Sequence, residues 1–248
     1  MASNLIGWVK KYKIPIKNIV HVGSHLVQER AEYKSIDAKH VYWVEAMPWI
    51  AEQALLLLED YPNQSLVCGL LWSSPGEKRE FYVAGDEGSS SSTLKPFLIS
   101  ASHPEVKVSR SVFLETTTLD LVMKSFKPDL GSGNFLVIDT QGAELNIIQG
   151  AIDSRSQFDF IVAEVTLKEL YLGAPKFQEF NRKMKSFGYS LLTADINRAT
   201  GWGDALYLRD EIFYKSGYST DIIYSGRYFG IRTLLRSIFL RFKHRIGV

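Results

Sequence analysis

The stretch FLVIDTQGAE, residues 135–144, decides the fold. Its first four residues are apolar without interruption, as in a strand buried on both faces of a parallel sheet. Asp139 ends this run, and small or polar residues lead from it into a helical pattern. A second stretch, VHVGSHLVQE at residues 20–29, has the same form, with Gly23 at the strand end. Because ligands bind at the carboxyl ends of parallel strands, the two stretches predict a binding crevice.

Strand-like and helix-like segments alternate along most of the chain. We predict strands near residues 19–22, 41–45, 66–72, 135–138, 160–165, 189–193 and 205–208, with a hairpin partner at 80–83. We predict helices near residues 5–12, 27–33, 49–58, 121–126, 145–150 and 177–187. This order indicates a Rossmann-like three-layer α/β/α sandwich around a mostly parallel seven-stranded sheet with an antiparallel last strand. The serine-rich segment 85–92 is interpreted most simply as a solvated linker.

Composition places the chain among ordinary globular proteins. It has 248 residues, of which 46% are apolar and 23% charged. The one cysteine, Cys68, rules out an internal disulfide and is compatible with a reducing compartment. We recognise no signal-peptide pattern at the start and no apolar run of the ~20 residues that span a bilayer. These features predict a cytoplasmic protein.

The net charge of +2 conceals an uneven distribution. Residues 227–248 hold six of the 29 bases and no acid, which leaves 23 bases against 27 acids in residues 1–226. We therefore predict one domain over residues 1–226 and a basic tail over residues 227–248. A mildly acidic body is not typical of a nucleic-acid-binding domain. Apolar tail residues share one helical stripe, so the tail either contacts a membrane surface peripherally or packs on its own domain or a second subunit.

Gly23 and Glu45 form the first candidate pair. Glycine lets a backbone pass close to a ligand, and a following helix would offer its free N–H groups. Glu45 ends the next predicted strand, where an acid accepts hydrogen bonds from ribose in nucleotide-binding folds. Singly they fit a tight turn and a solvated charge, but together they favour an adenosine-containing ligand. Because His25 and Gln28 replace glycines, the pattern is not the dinucleotide fingerprint G-x-G-x-x-G.

Four further side chains are candidates for chemistry. Asp139 could orient an acceptor hydroxyl, act as a general base or cap the next helix. Glu144 is either a first-turn acid that favours the helix dipole or a site residue. Glu164 either faces the same crevice or pairs with a backbone donor, and His25, a loop histidine, acts either as a hydrogen-bond donor or as a base. We find no clear metal spacing, although Asp139 with other acids could hold a divalent ion.

These motifs resemble those of FkbM-type methyltransferases, a branch of the class I S-adenosylmethionine-dependent fold. IDTQGAE at residues 138–144, followed by Gly150-Ala151, is similar to the family's most specific signature, I-D-x-Q-G-x-E and then G-A. Further matches are GSHLVQ at 23–28, EAMP at 45–48, SSSTL at 90–94, TTLD at 117–120, EV at 164–165, LYLGA at 170–174 and GDALY at 203–207. The resemblance extends from about residue 19 to residue 209.

The resemblance implies methyl transfer from S-adenosyl-L-methionine, usually to a hydroxyl oxygen, here on a sugar, glycan or other small metabolite. It implies that Glu45 binds the ribose of the cofactor. The other residues that it places against the cofactor are Gly23, Ser24, His25, Gln28, Ala46, Asp139 and Gln141. The candidate catalytic residues are Asp139, Glu164 and His25.

Val27 departs from the family pattern, which usually has glycine at this position. A Val27 side chain directed into the sheet is harmless packing, whereas one directed at the ligand would weaken cofactor binding. The second case motivates an alternative, a catalytically degenerate binding module. A scaffold that acts at the membrane through residues 227–248 is a further alternative.

Overall fold

The computed structural model describes residues 2–85, 88–99, 106–126, 128 and 131–225, so the predicted tail lies outside the described residues. Its strands are β1 Asn18–Val22, β2 His40–Glu45, β3 Gln64–Cys68, β4 Leu70–Leu71, β5 Lys78–Ala84, β6 Val108–Thr117, β7 Asn134–Ile138, β8 Phe160–Thr166, β9 Tyr189–Asn197, β10 Trp202–Arg209 and β11 Asp221–Ser225. Its helices are α1 Ala2–Tyr12, α2 Arg30–Ser35, α3 Pro48–Leu57, α4 Leu119–Phe126, α5 Glu144–Gln149, α6 Phe177–Ser186 and α7 Asp210–Lys215, with a 3-10 turn at Arg155–Gln157.

The main sheet has eight strands in the order β3-β2-β1-β7-β8-β10-β9-β11. Neighbouring strands are parallel except at β10, which runs antiparallel to both β8 and β9. The predicted Rossmann-like α/β/α fold is thereby confirmed. The sequence prediction stops at seven strands because β11 is a short edge strand, half exposed and without a long apolar run.

Helices cover both faces of this sheet. Alternate residues of a strand point to opposite faces, so Val20 and Val22 pack against α4, α5 and α6, whereas Ile19 packs against α1, α2 and α3. All five residues of β7 are buried for the same reason. This double coverage explains why the strand that ends at Asp139 is apolar throughout.

A second sheet of three strands, in the order β4-β6-β5, lies beside the main one. The predicted strand 66–72 is wrong as one unit, because it is interrupted at Gly69 and β3 and β4 join different sheets. The predicted hairpin is also wrong, since β5 pairs antiparallel with β6. The sequence prediction misses β6 because polar residues occupy much of it and its first four residues are exposed.

The helix predicted over residues 27–33 begins later in the structure. Turns occupy residues 25–29, and α2 begins at Arg30. His25 and Val27 have φ angles of +46° and +47°, in the left-handed region that a regular helix excludes. We call residues 23–29 the β1 loop and residues 139–143 the β7 loop.

Candidate functional site

A cleft of about 540 Å³, measured to its open mouth, lies at the carboxyl ends of β1, β2 and β7. The residues that line it from these strand ends include Gly23, His25, Glu45, Ala46, Met47, Asp139, Thr140 and Gln141. The opposite wall includes Leu70, Phe81, Gly88, Ser89, Ser91 and Thr93. Six of the predicted site residues therefore meet in one cleft. The other three, Ser24, Gln28 and Glu164, are not among its lining residues.

A steric contact explains why residue 23 must be glycine, and this contact could not be foreseen from the sequence. The φ of Gly23 is +81°, and a Cβ atom at this position would collide with the carbonyl oxygen of Asp139. The strand ends are this close because the Asp139 N–H donates to the carbonyl oxygen of Val22 at 2.9 Å. Glycine is thus required by the contact between β1 and β7, although Gly23 also lines the cleft.

Glu45 stabilises the loops on both sides of the cleft floor. Its Oε2 accepts a hydrogen bond from the His25 backbone N–H at 2.8 Å, and its Oε1 accepts one from the Met47 N–H at 2.9 Å. Burial raises the pKa of Glu45, while these two N–H groups oppose the shift. Each carboxylate oxygen has two lone pairs, so Glu45 retains acceptor capacity toward the cleft.

Glu144 has a comparable role in the β7 loop. Its Oε1 accepts hydrogen bonds from the backbone N–H groups of Thr140 and Gly142, both at 3.0 Å. Burial raises the pKa of Glu144 to about 7. The Glu144 carboxylate accepts hydrogen bonds from its own loop, and Glu144 does not line the cleft. Its role is therefore to stabilise the loop that carries Asp139.

Asp139 presents its carboxylate to the cleft with one fixed partner. The side-chain amide of Gln141 donates to Asp139 Oδ1 at 2.8 Å. Burial raises the pKa of Asp139, and the Gln141 hydrogen bond partly offsets this. Asp139 directly follows Ile138, which pairs with Ala163, so Glu164 is the next residue along the neighbouring strand. Burial and the nearby Asp139 hold the pKa of Glu164 well above its usual range.

Tyr171 is a site residue that the sequence argument did not identify. Its hydroxyl donates to Gln141 Oε1 at 2.9 Å and also lies 3.2 Å from the Ser90 carbonyl oxygen. The side chain is only 1% exposed. The motif LYLGA contains this residue, but a motif does not show which side chain a tyrosine contacts 30 residues away.

The serine-rich segment is part of the site, so its interpretation as a solvated linker is wrong. Ser92 is fully buried, and its hydroxyl donates to the Gln141 carbonyl oxygen at 2.8 Å. Ser91 lines the cleft, and its hydroxyl donates to the Gly88 carbonyl oxygen at 2.6 Å. The segment therefore packs directly on the β7 loop.

Three further residues of the β1 loop, Ser24, Val27 and Gln28, do not line the cleft. Ser24 is buried, and its hydroxyl has no hydrogen-bond partner among the described residues. The Gln28 side-chain amide contacts His25 Nδ1 at 2.9 Å. Val27 is fully buried in the core between the sheet and helices α1–α3, and it does not line the cleft. The Val27 side chain therefore does not obstruct the cleft, and it gives no reason to propose a degenerate cofactor site.

Within the described ranges, no group of three or more His, Cys, Asp or Glu side chains is arranged to hold a metal ion. Across the same ranges, no helix combines the length and apolar character needed to cross a bilayer.

Comparison with known proteins gives one family match. A model of the methyltransferase FkbM domain matches residues 20–191. No curated protein matches the chain.

Solved structures give distant similarities. A methyltransferase FkbM from Methylobacillus flagellatus KT shares 11% identity with a TM-score of 0.48, over 78% of this chain and 43% of that one. The TrmK protein of M. capricolum, in complex with S-adenosyl-homocysteine, shares 8% identity with a TM-score of 0.45, over 80% of this chain and 65% of that one. The magnesium protoporphyrin IX methyltransferase of Synechocystis PCC 6803, with bound SAH, shares 11% identity with a TM-score of 0.47, over 84% and 81%. The chain thus spans less than two thirds of the first two structures.

Proposed function

Because the chain belongs to the FkbM methyltransferase family, we propose that it transfers the methyl group of S-adenosyl-L-methionine to a hydroxyl oxygen of a small molecule or glycan. One observation carries the proposal: Glu45 and Asp139 line the same cleft from the ends of two parallel strands. Carboxylates turned to opposite sides of the molecule, or a cleft filled by Val27, would have argued against it.

The cleft fits the chemistry of this cofactor. Glu45 has acceptor capacity for ribose hydroxyls beyond its two backbone N–H partners. Met47, Leu70 and Phe81 offer apolar surface to an adenine ring. The Asp139 carboxylate offers a partner for an ammonium group or an acceptor hydroxyl. When bound, S-adenosyl-L-methionine supplies a methyl carbon already activated by a sulfonium, so the protein's main task is to position the reactants.

Asp139 is the proposed general base. It takes the proton that the acceptor hydroxyl loses as the new oxygen–carbon bond forms. Burial raises its pKa, which makes it a stronger base than an exposed aspartate. Glu164 and His25 are the reserve candidates, but Glu164 does not line the cleft and the His25 ring contacts the Gln28 side-chain amide through Nδ1.

Calorimetry with S-adenosyl-L-methionine tests the cofactor, and an Asp139→Asn variant tests the base. We expect saturable binding to both proteins, with turnover of a screened hydroxylated acceptor reduced about 100- to 10,000-fold in the variant. Asp195→Asn is the matched control, because Asp195 belongs to β9 of the same sheet but does not line the cleft. Absence of binding at about 1 mM cofactor, the upper end of common KM values, would contradict the proposed function. Normal turnover by Asp139→Asn would remove Asp139 from the base role.

A further inference from the structure

A chain of hydrogen bonds leads from the cleft to a buried tyrosine. Asp139 Oδ1 accepts from the Gln141 amide NH₂ at 2.8 Å, and Gln141 Oε1 accepts from the Tyr171 hydroxyl at 2.9 Å. Asp139 Oδ2 has no hydrogen-bond partner in the described part of the chain. One carboxylate oxygen is therefore fixed and the other is left for a ligand in the cleft.

The side-chain amide of Gln141 can turn either its NH₂ group or its carbonyl oxygen toward Asp139, and the neighbouring groups decide which. An ionised carboxylate only accepts, so it requires the NH₂ end, and a tyrosine hydroxyl that donates requires the carbonyl end. Without the hydroxyl of Tyr171, the carbonyl end loses the partner that holds it away from Asp139. The Ser90 carbonyl oxygen lies farther from the Tyr171 hydroxyl, at 3.2 Å against 2.9 Å for Gln141 Oε1, so the single hydroxyl proton is directed at Gln141.

The fold holds the middle of this chain, Gln141, and its buried end, Tyr171, in place. Gln141 has a φ of +56°, and its backbone carbonyl accepts from the buried Ser92 hydroxyl. The Tyr171 ring is 1% exposed and packs in an apolar cluster. The cluster members are Ala84, Ile99, Val106, Leu170 and Ala174. The hydroxyl is therefore presented at a fixed place, as positioning of a reactive group requires.

We propose that Tyr171 is a positioning residue for the methyl-transfer reaction, acting through Gln141 to orient Asp139 and keep it ionised. The effect of Tyr171 on methyl transfer rests on the proposed function, whereas its effect on Asp139 does not. The orientation of Asp139 is a property of the folded protein and can be measured without turnover.

The surroundings of Asp139 make this one contact important. The ionisable groups that interact electrostatically with Asp139 from the surrounding elements are Glu29, Tyr33, Glu144, Glu164, Tyr171 and Asp204, and His25 lines the same cleft. The carboxylates among them disfavour ionisation of Asp139, and so does burial. The Gln141 NH₂ favours the ionised form. Loss of its orientation should therefore raise the pKa of Asp139 further.

The test compares Tyr171→Phe with Tyr189→Phe. Tyr189 is a matched control, because it is equally buried and its hydroxyl contacts two backbone carbonyls, of Arg155 at 2.6 Å and Phe158 at 2.7 Å. The pKa of Asp139 is measured by NMR titration of protein labelled with isotopic aspartate, with Asp139→Asn to assign the signal. We expect Tyr171→Phe to raise this pKa by about one unit and Tyr189→Phe to leave it unchanged. An unchanged pKa in folded Tyr171→Phe would overturn the inference.

A second variant keeps the test decisive if Tyr171→Phe does not fold. Gln141→Asn retains an amide and suits a positive φ, but it is too short to join Asp139 to Tyr171. We expect Gln141→Asn alone to raise the pKa of Asp139, and an unchanged pKa would overturn the inference without Tyr171→Phe, because Tyr171 reaches Asp139 only through Gln141. Where all variants fold, the double variant should add nothing further, because both changes break the same chain. Additive shifts would show that Tyr171 does not act through Gln141.

Kinetics separate this inference from the proposed function. With an acceptor in hand, the acid limb of the kcat/KM profile should move to higher pH in Tyr171→Phe by the same amount as the NMR pKa. A purely structural role for Tyr171 would lower activity at all pH values without moving the limb, and would contradict the inference. If no methyl transfer is detected in any variant, the proposed function fails, while the NMR titration still decides the role of Tyr171.

Discussion

The β1 loop and the β7 loop are stabilised in the same way but by differently placed glutamates. In each loop, backbone N–H groups near a residue with positive φ donate to a buried carboxylate. Glu45, on the neighbouring strand β2, holds the β1 loop with one oxygen and the start of α3 with the other. Glu144 holds the β7 loop from four residues further along the same segment, with all of these bonds on Oε1.

This difference distinguishes a residue available to a ligand from a local stabiliser. Glu45 joins two elements and lines the cleft, so any ligand that contacts it is coupled to both loops around it. Glu144 closes its own loop and is not among the residues that line the cleft. Both are acids near strand ends, and only their contacts show that one is open to a ligand and the other is not.

The largest expected effect concerns the contact between the two loops. Gly23→Ala places a methyl group against the Asp139 carbonyl oxygen, so β1 and β7 must separate. We expect a loss of more than about 4 kcal/mol of unfolding free energy, measured by urea denaturation. Gly76→Ala is the control, because Gly76 also has a positive φ, +78°, but its Cβ would meet open space. The control should lose only about 1–2 kcal/mol, and an equal loss in both variants would show that the loops do not depend on this contact.

A smaller effect follows from the raised pKa of Glu144. Its pKa of about 7 in the folded protein exceeds its usual value, so the folded state holds the proton more tightly than the unfolded chain. The resulting stability is fully present below about pH 4.5 and is lost as the pH rises through 7. Glu144→Gln removes this titration and can keep the loop bonds on its carbonyl oxygen.

We therefore expect Glu144→Gln to gain stability relative to the parent protein as the pH rises from about 5 to 8, by up to about 3 kcal/mol. Thermal unfolding across this pH range measures the difference. A difference between the two proteins that does not change with pH would mean that Glu144 is not the group that titrates.

The smallest effect separates the two glutamates directly. Glu45 uses both oxygens to accept from backbone N–H groups, so Glu45→Gln turns an NH₂ group toward one of these donors. We expect Glu45→Gln to cost about 2 kcal/mol of unfolding free energy and to weaken cofactor binding in calorimetry. Glu144→Gln, measured at about pH 5 where Glu144 holds its proton, should be nearly neutral. Equal costs would show that the two loops are stabilised alike.

Strands and their ends are predicted correctly from the sequence where a short run of neighbouring residues is enough to identify them. A strand buried on both faces must be apolar, so residues 135–138 identify β7, and the polar residue that ends the run places Asp139 at the sheet edge. Glu45 is located by the same logic at the end of β2. The prediction was least successful in residues 66–117, because an exposed, partly polar strand such as β6 can pair with several partners.

Side-chain partners in the site depend on contacts between distant segments. Tyr171 meets Gln141 across 30 residues, and Ser92 meets Gln141 across 49. Periodicity predicts which face of an element is buried but not which polar groups meet there. By itself the sequence determined the fold class, the edge of the sheet that holds the cleft and the presence of Glu45 and Asp139 on it, since apolar period and strand order suffice for these. Only the tertiary structure decided that Glu144 stabilises a loop, that Val27 is core and that Tyr171 reaches Asp139 through Gln141, because these follow from the packing of segments far apart in the chain.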